Sequence, residues 1–184
     1  MRGNRAVVTA VVLLGILIVG WWLFGRRGAA QPVDLLASFE SARKQPDASL
    51  FSIEEVSLAG DSKRAVVMAP TAGTRLTWKV RVPDDGWLRV WLGLKPEAWE
   101  AEGNGVLFFV GVSDGRAFDM LFTQHVNPRD NPPDRRWIPV FADLSAYGGE
   151  EVDIVFNTRA SPENVEEDPR NDLALWGAPE VVVR

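Results

Sequence analysis

Cysteine is absent from the 184-residue chain and histidine occurs once. Without cysteine the chain can form no disulfide, no thiolate metal site and no covalent c-type haem attachment. The lone His125 has no serine or cysteine motif near it, and Asn127-Pro128 follow closely. A nucleophile–base arrangement therefore has no support, and the residue reads as a loop histidine. Acidic residues are missing from the first 31 positions, which carry only Arg2, Arg5, Arg26 and Arg27 as charged side chains. No internal repeat or low-complexity tract is present.

Charge is also missing from residues 6–24, nineteen positions running from Ala6 to Phe24. At about 1.5 Å per residue, such a helix reaches the roughly 30 Å of a bilayer's hydrocarbon core. Trp21 and Trp22 stand at its far end, where indole rings favour the headgroup boundary, and Arg26 and Arg27 follow. A cleaved signal peptide has a similar layout, and Gly28-Ala29-Ala30 resembles a small-residue cleavage site. The run is long for that purpose, and bulky and charged residues precede that site. The expectation is an uncleaved single-pass anchor over residues 1–27. Positive charge is nearly balanced across it, and the signal-like layout favours a cytoplasmic N-terminus and a periplasmic, extracytoplasmic C-terminal domain.

Beyond residue 31 the chain holds all 25 acidic residues against 16 lysines and arginines, an excess of nine negative charges. That balance argues against nucleic acid as a partner, because phosphate neutralisation supplies most of such affinity. Residues 28–49 read as a polar connector. A short helix is expected over Val33–Lys44, with Leu35, Leu36 and Phe39 on one face between Pro32 and Pro46. Residues 50–184 show short apolar runs separated by turn residues, the pattern of a β-sandwich. Strands are expected at 50–57, 64–69, 74–82, 87–94, 105–112, 117–125, 137–144, 151–157 and 174–183. Val106–Val112 is apolar on both faces, as in a strand buried within a packed sheet.

Leu76, Trp78, Val80 and Val82 alternate with polar residues, and Leu88, Val90, Leu92 and Leu94 form a matching set. A hairpin with Val82 opposite Leu88 and Val80 opposite Val90 puts both sets on one face, around Asp84-Asp85-Gly86 with Gly86 left-handed. That register points Lys79, Arg81, Arg89 and Trp91 outward together. The domain's own carboxylates would neutralise this patch. Otherwise it would dock a partner, namely an acidic protein surface, an anionic headgroup or a sugar acid.

The stretch from Trp137 through Asp143-Leu-Ser-Ala-Tyr147-Gly-Gly to Phe156-Asn-Thr158 resembles the strand–turn–strand unit of galactose-binding-like jelly rolls, the fold of many carbohydrate-binding modules. Ala174-Leu-Trp-Gly-Ala-Pro179 and the valines after it resemble that family's last strand. The resemblance implies an all-β jelly roll and leaves function open, since such domains serve as sugar binders, enzyme appendages and assembly modules. No ligand-binding position matches residue by residue. Asp143 and Ser145 read as turn caps, and Trp137 and Trp176 as packed aromatics. Jelly rolls of this kind often hold a structural calcium, which makes Asp130, Asp134, Glu166, Glu167 and Asp168 weak calcium candidates. Their loops lack the spacing of a defined calcium motif. No carboxylate pair is singled out for glycoside hydrolysis.

These readings favour a non-catalytic, membrane-anchored accessory subunit of a larger membrane complex, of the single-span kind that energy-transducing and photosynthetic assemblies carry. The alternative is a membrane-tethered module that binds a glycan or envelope polymer.

Overall fold

Alternating apolar residues build two antiparallel sheets that share one core. The computed structural model describes residues 31–71, 73–160, 170 and 173–184, and among them Pro32–Arg184 form one unit. The strands are β1 (Val33–Asp34), β2 (Arg43–Gln45), β3 (Phe51–Leu58), β4 (Asp61–Met68), β5 (Arg75–Arg81), β6 (Gly86–Leu94), β7 (Val106–Ser113), β8 (Phe118–Val126), β9 (Ile138–Asp143), β10 (Glu151–Arg159) and β11 (Ala174–Val183). One sheet runs β3-β4-β11-β6-β9, with β1 also paired to β11; the other runs β2-β5-β10-β7-β8. The nine strands expected from the sequence are all present, with ends displaced by three residues at most. The all-β sandwich is thus as expected.

An aromatic cluster spans the space between the sheets. Trp78, Phe108 and Phe156 enter from the second sheet and meet Trp176 of β11, with centroid separations of 5.0 Å for Trp78–Phe156, 4.9 Å for Phe108–Trp176 and 4.4 Å for Phe156–Trp176. All four are buried. Burying each such ring contributes on the order of 1.5–3 kcal/mol from apolar area, before the entropy of ordering it is set against that. Edge-on packing adds to area burial, because ring edges and faces carry opposite partial charge.

The expected hairpin does not form. β5 pairs with β10 and β2, whereas β6 pairs with β11 and β9, so the chain crosses from one sheet to the other at Val82–Gly86. Trp78, Val80 and Val82 still share a core with Leu88, Val90 and Leu92, but across it rather than beside it. Alternation states which side chains enter the core, and face-to-face packing satisfies it as well as edge-to-edge pairing. The left-handed residue is Asp85, with φ of 54°. Gly86 has a different role: a Cβ there would lie 2.8 Å from Val82 Cγ1 and 2.9 Å from the Pro83 carbonyl oxygen.

The segment read as a connector is built into both sheets. β1 extends the first sheet beside β11 and β2 edges the second beside β5. Between them a 3₁₀ helix, Leu36–Ser41, replaces the longer helix expected over Val33–Lys44. Leu35, Leu36 and Phe39 are buried in the main core, which supplies the reason: their apolar face has a sheet edge to cover. Residues 6–24 lie outside the described part, together with Trp21, Trp22, Arg26 and Arg27. Among the described residues no helix is long and apolar enough to cross a membrane.

Candidate functional site

Part of the outer face of the first sheet is covered by the chain itself. Ala65 and Val67 of β4, Leu175 of β11 and Leu58 of β3 form a second buried cluster under Trp137. The ring sits where Gly93 and Gly177 leave room; a Cβ on Gly177 would lie 2.8 Å from Trp137 Cζ3. Its indole N–H donates to the Asp61 carbonyl at 2.9 Å. The loop that delivers Trp137 is tied together by carboxylates. Asp134 accepts from the Asn127 backbone N–H at 3.0 Å and from the Asn131 side chain at 2.8 Å, and Asp130 accepts from the Asn127 side chain at 3.0 Å. Arg135 then reaches Glu100 at 2.6 Å and the Trp99 carbonyl at 3.1 Å.

The outer face of the second sheet is open and ordered in cross-strand rows. Pairing places Gln45, Arg75, Asn157, Phe109 and Thr123 in one outward row. The next row is Arg43, Thr77, Val155, Gly111 and Met120. Short side chains in the middle of the second row, against Phe109 and Phe118 on either side, leave a cleft of about 480 Å³. Val155 and Gly111 form its floor, Phe118 and Met120 its β8 wall, and Arg75, Asn157 and Arg159 its polar rim. Phe118 and Met120 are more than half exposed. Phe118 lies directly over Gly111, so that a Cβ on Gly111 would strike the ring. The Arg159 guanidinium stands 5.9 Å from the Phe109 ring centroid.

Among the described lining residues there is no carboxylate. The cleft offers ring faces beside amide and guanidinium donors, the composition of a binding site for a small ligand with apolar and hydroxylated faces.

The patch expected from Lys79, Arg81, Arg89 and Trp91 is not one surface. Lys79 and Arg81 lie on β5 and Arg89 and Trp91 on β6, on opposite outer faces of the sandwich, because the hairpin that would have joined them does not exist. Two of these residues are held by the domain's own acids: Lys79 by Glu151 at 3.6 Å and Arg89 by Glu180 at 2.6 Å. Trp91 is covered by the Lys63 ammonium, 4.5 Å from its centroid.

His125 lies near the end of β8, exposed, with Nε2 2.8 Å from the Asn104 carbonyl oxygen. Of the calcium candidates, Asp130 and Asp134 spend their oxygens on the loop hydrogen bonds above, and Glu166, Glu167 and Asp168 lie outside the described residues. Among the described residues no group of three or more His, Asp or Glu side chains is gathered to hold a metal. Asp143 caps its turn by accepting the Ser145 N–H at 2.8 Å, which holds its carboxyl below the usual range. The Tyr147 hydroxyl donates to Asp119, and that bond pushes its pKa up to about 12.

The cleft residues were not singled out by the sequence. Phe118 and Met120 read only as apolar positions in a strand. The one available signal was that they alternate on the same parity as the polar Thr123 and His125 once the bulge between Val110 and Gly111 is allowed for. Val106–Val112 also departs from its reading as a strand buried on both faces, because Phe109 is only half-buried.

No family model matches the chain. It is 36% identical over 104 residues to an uncharacterized protein of Archaeoglobus fulgidus, a stretch that is 56% of this chain and 25% of that protein. The chain thus spans about a quarter of the length of the curated relative it matches. Among solved structures it is similar to CBM51 from Clostridium perfringens GH95 in complex with methyl-galactose, with a TM-score of 0.54 and 11% identity over 83% of this chain and 100% of that one. It is also similar to TmCBM61 in complex with beta-1,4-galactotriose, with a TM-score of 0.52 and 13% identity over 82% and 94% of the two chains. A third is the CBM22-1–GH10 pair of Clostridium thermocellum xylanase 10B complexed with xylohexaose, with a TM-score of 0.51 and 10% identity over 84% and 28%. At such identities the likeness concerns the fold alone, a sandwich of two antiparallel sheets.

Proposed function

We propose that the sandwich is a non-catalytic carbohydrate-binding module that holds a saccharide in the cleft over β5, β10, β7 and β8. The observation that carries this reading is the cleft's composition: Phe118 stands over Gly111 and Phe109 flanks it, with Asn157 and Arg75 at the rim and no carboxylate among the described lining residues. Sugar rings present C–H faces to aromatic rings and hydroxyls to amide and guanidinium donors. The fold of glycan-binding modules supports the same reading and favours it over the accessory-subunit role.

The uncharged run 6–24 would tether the module to a membrane, with its sandwich on the exported side. Alkaline extraction with protease access to intact cells tests the tether. A glycan array probed with the full-length chain in mild detergent tests the binding. Retention of a sugar that Phe118→Ala abolishes is expected. If the array is empty and blue-native electrophoresis shows the chain in a large assembly, the accessory-subunit role takes the place of this reading.

A further inference from the structure

Resting on the saccharide reading of the same cleft, we infer that its ligand is acidic: a uronic acid residue of a polysaccharide, with its carboxylate held by Arg75. The beginning of the argument is charge. The chain beyond residue 31 has nine more acidic than basic residues, yet the described cleft lining contributes two arginines and no acid. Arg43, Lys63, Lys79, Arg89, Lys95 and Arg135 are each paired with a carboxylate, whereas Arg64, Arg75 and Arg81 make no ion pair among the described residues, and of these three only Arg75 lines the cleft. Arg75 makes no ion pair among the described residues although it lies one row from the Arg43–Asp153 pair.

The position of Arg75 adds the second observation. It sits between Gln45 and Asn157 in a single outward row, about 4.8 Å apart from strand to strand, and of these three Arg75 and Asn157 line the cleft. A guanidinium fork takes a carboxylate through two parallel N–H donors, while the flanking amides can take the neighbouring hydroxyls. Phe109 follows Asn157 in the same row and the exposed Phe118 lies over Gly111 in the next, and both rings suit the apolar face of a pyranose ring. A carboxylate on one edge of the sugar and a stacking face on the other describe a hexuronic acid. A neutral hexose would bring no charged partner to Arg75.

The test is titration calorimetry of the full-length chain in mild detergent at low ionic strength, with trigalacturonate and galactotriose compared. At least tenfold tighter binding of the acidic trimer is expected, shrinking as salt screens the pair. Arg75→Gln should weaken the acidic trimer at least tenfold and the neutral one far less, bringing the two close to parity, without moving the melting temperature. Equal or tighter binding of the neutral trimer in the unaltered chain overturns the acid preference and leaves the saccharide reading standing. Binding of neither trimer overturns both. Displacement of the acidic trimer by acetate or phosphate at matched charge would reduce Arg75 to a bare anion site and overturn the uronate assignment.

Discussion

The two sheets differ in what they do with their outer faces. The first covers the centre of its own: Ala65, Val67 and Leu175 point away from the main core and are buried all the same, because Trp137 closes over them, and only toward the β9 edge does an aromatic, Phe141, stay exposed. The second leaves Phe118 and Met120 exposed beside an open cleft. In β4 and β11 the covered face shows as unbroken burial, Ala65–Met68 and Ala174–Gly177, while β8 of the second sheet is exposed or half-buried from Phe118 to His125. A sheet buried on both faces contributes stability and cannot bind; one with an open face retains apolar residues that packing does not require. Exposed aromatics on that face therefore point to a ligand more directly than any buried residue does.

The contrast can be broken at its strongest point. Trp137→Ala removes the lid of the covered face and should lower stability by about 3–5 kcal/mol, the range for large aromatic truncations in packed sites. Chemical denaturation measures this, and the folded fraction should keep its sugar affinity. A loss under about 1 kcal/mol would mean that the first sheet's cover is no more structural than the second sheet's wall.

The open face should respond in the opposite sense. Phe118→Ala should cost less than about 1 kcal/mol of stability, as for most exposed positions, and should reduce saccharide affinity at least tenfold. Calorimetry and denaturation on one preparation decide it. A large stability loss with intact binding would erase the difference between the faces.

Arg89→Ala tests the paired cations of the covered side. Its bond to Glu180 is partly exposed, so the loss should fall between about 0 and 1 kcal/mol and shrink at high salt. Sugar affinity should not change, since Arg89 lies on the face away from the cleft.

The smallest effect is set by pH. Tyr147 is the chain's one tyrosine, and its hydroxyl bonded to Asp119 has a pKa raised to about 12. The folded state keeps this proton between pH 10 and 12 while the unfolded chain loses it, so the contribution is full below pH 10 and declines as pH rises through 12. Solvent screening at this partly exposed site keeps it under about 1 kcal/mol. The tyrosinate ultraviolet band should titrate near 12 in the native protein and closer to 10 in Asp119→Ala.

Local readings of the sequence succeeded where one segment contains its own cause. Strand positions follow from alternation, the Asp143–Ser145 turn from a side chain that reaches its neighbour's N–H, and the burial of Trp176 from its place in an apolar strand. Reasoning failed where two distant segments had to be matched. The patch of Lys79, Arg81, Arg89 and Trp91 depended on β5 pairing with β6, and an alternating strand carries no mark of its partner.

The sequence by itself determined that this is an all-β domain, which side chains enter its core and that a charge-free run precedes it. Only the tertiary structure decided which strands are neighbours, that residues 33–45 complete both sheets, and which outer face stays open. The cleft is the consequence of that last decision. Arg75, Phe109, Phe118 and Asn157 come from four strands far apart in the chain, and hydrogen-bonded register alone sets them side by side. Backbone pairing energy is nearly indifferent to which strand lies alongside, so the choice rests on packing both faces at once, a condition no single stretch of residues can express.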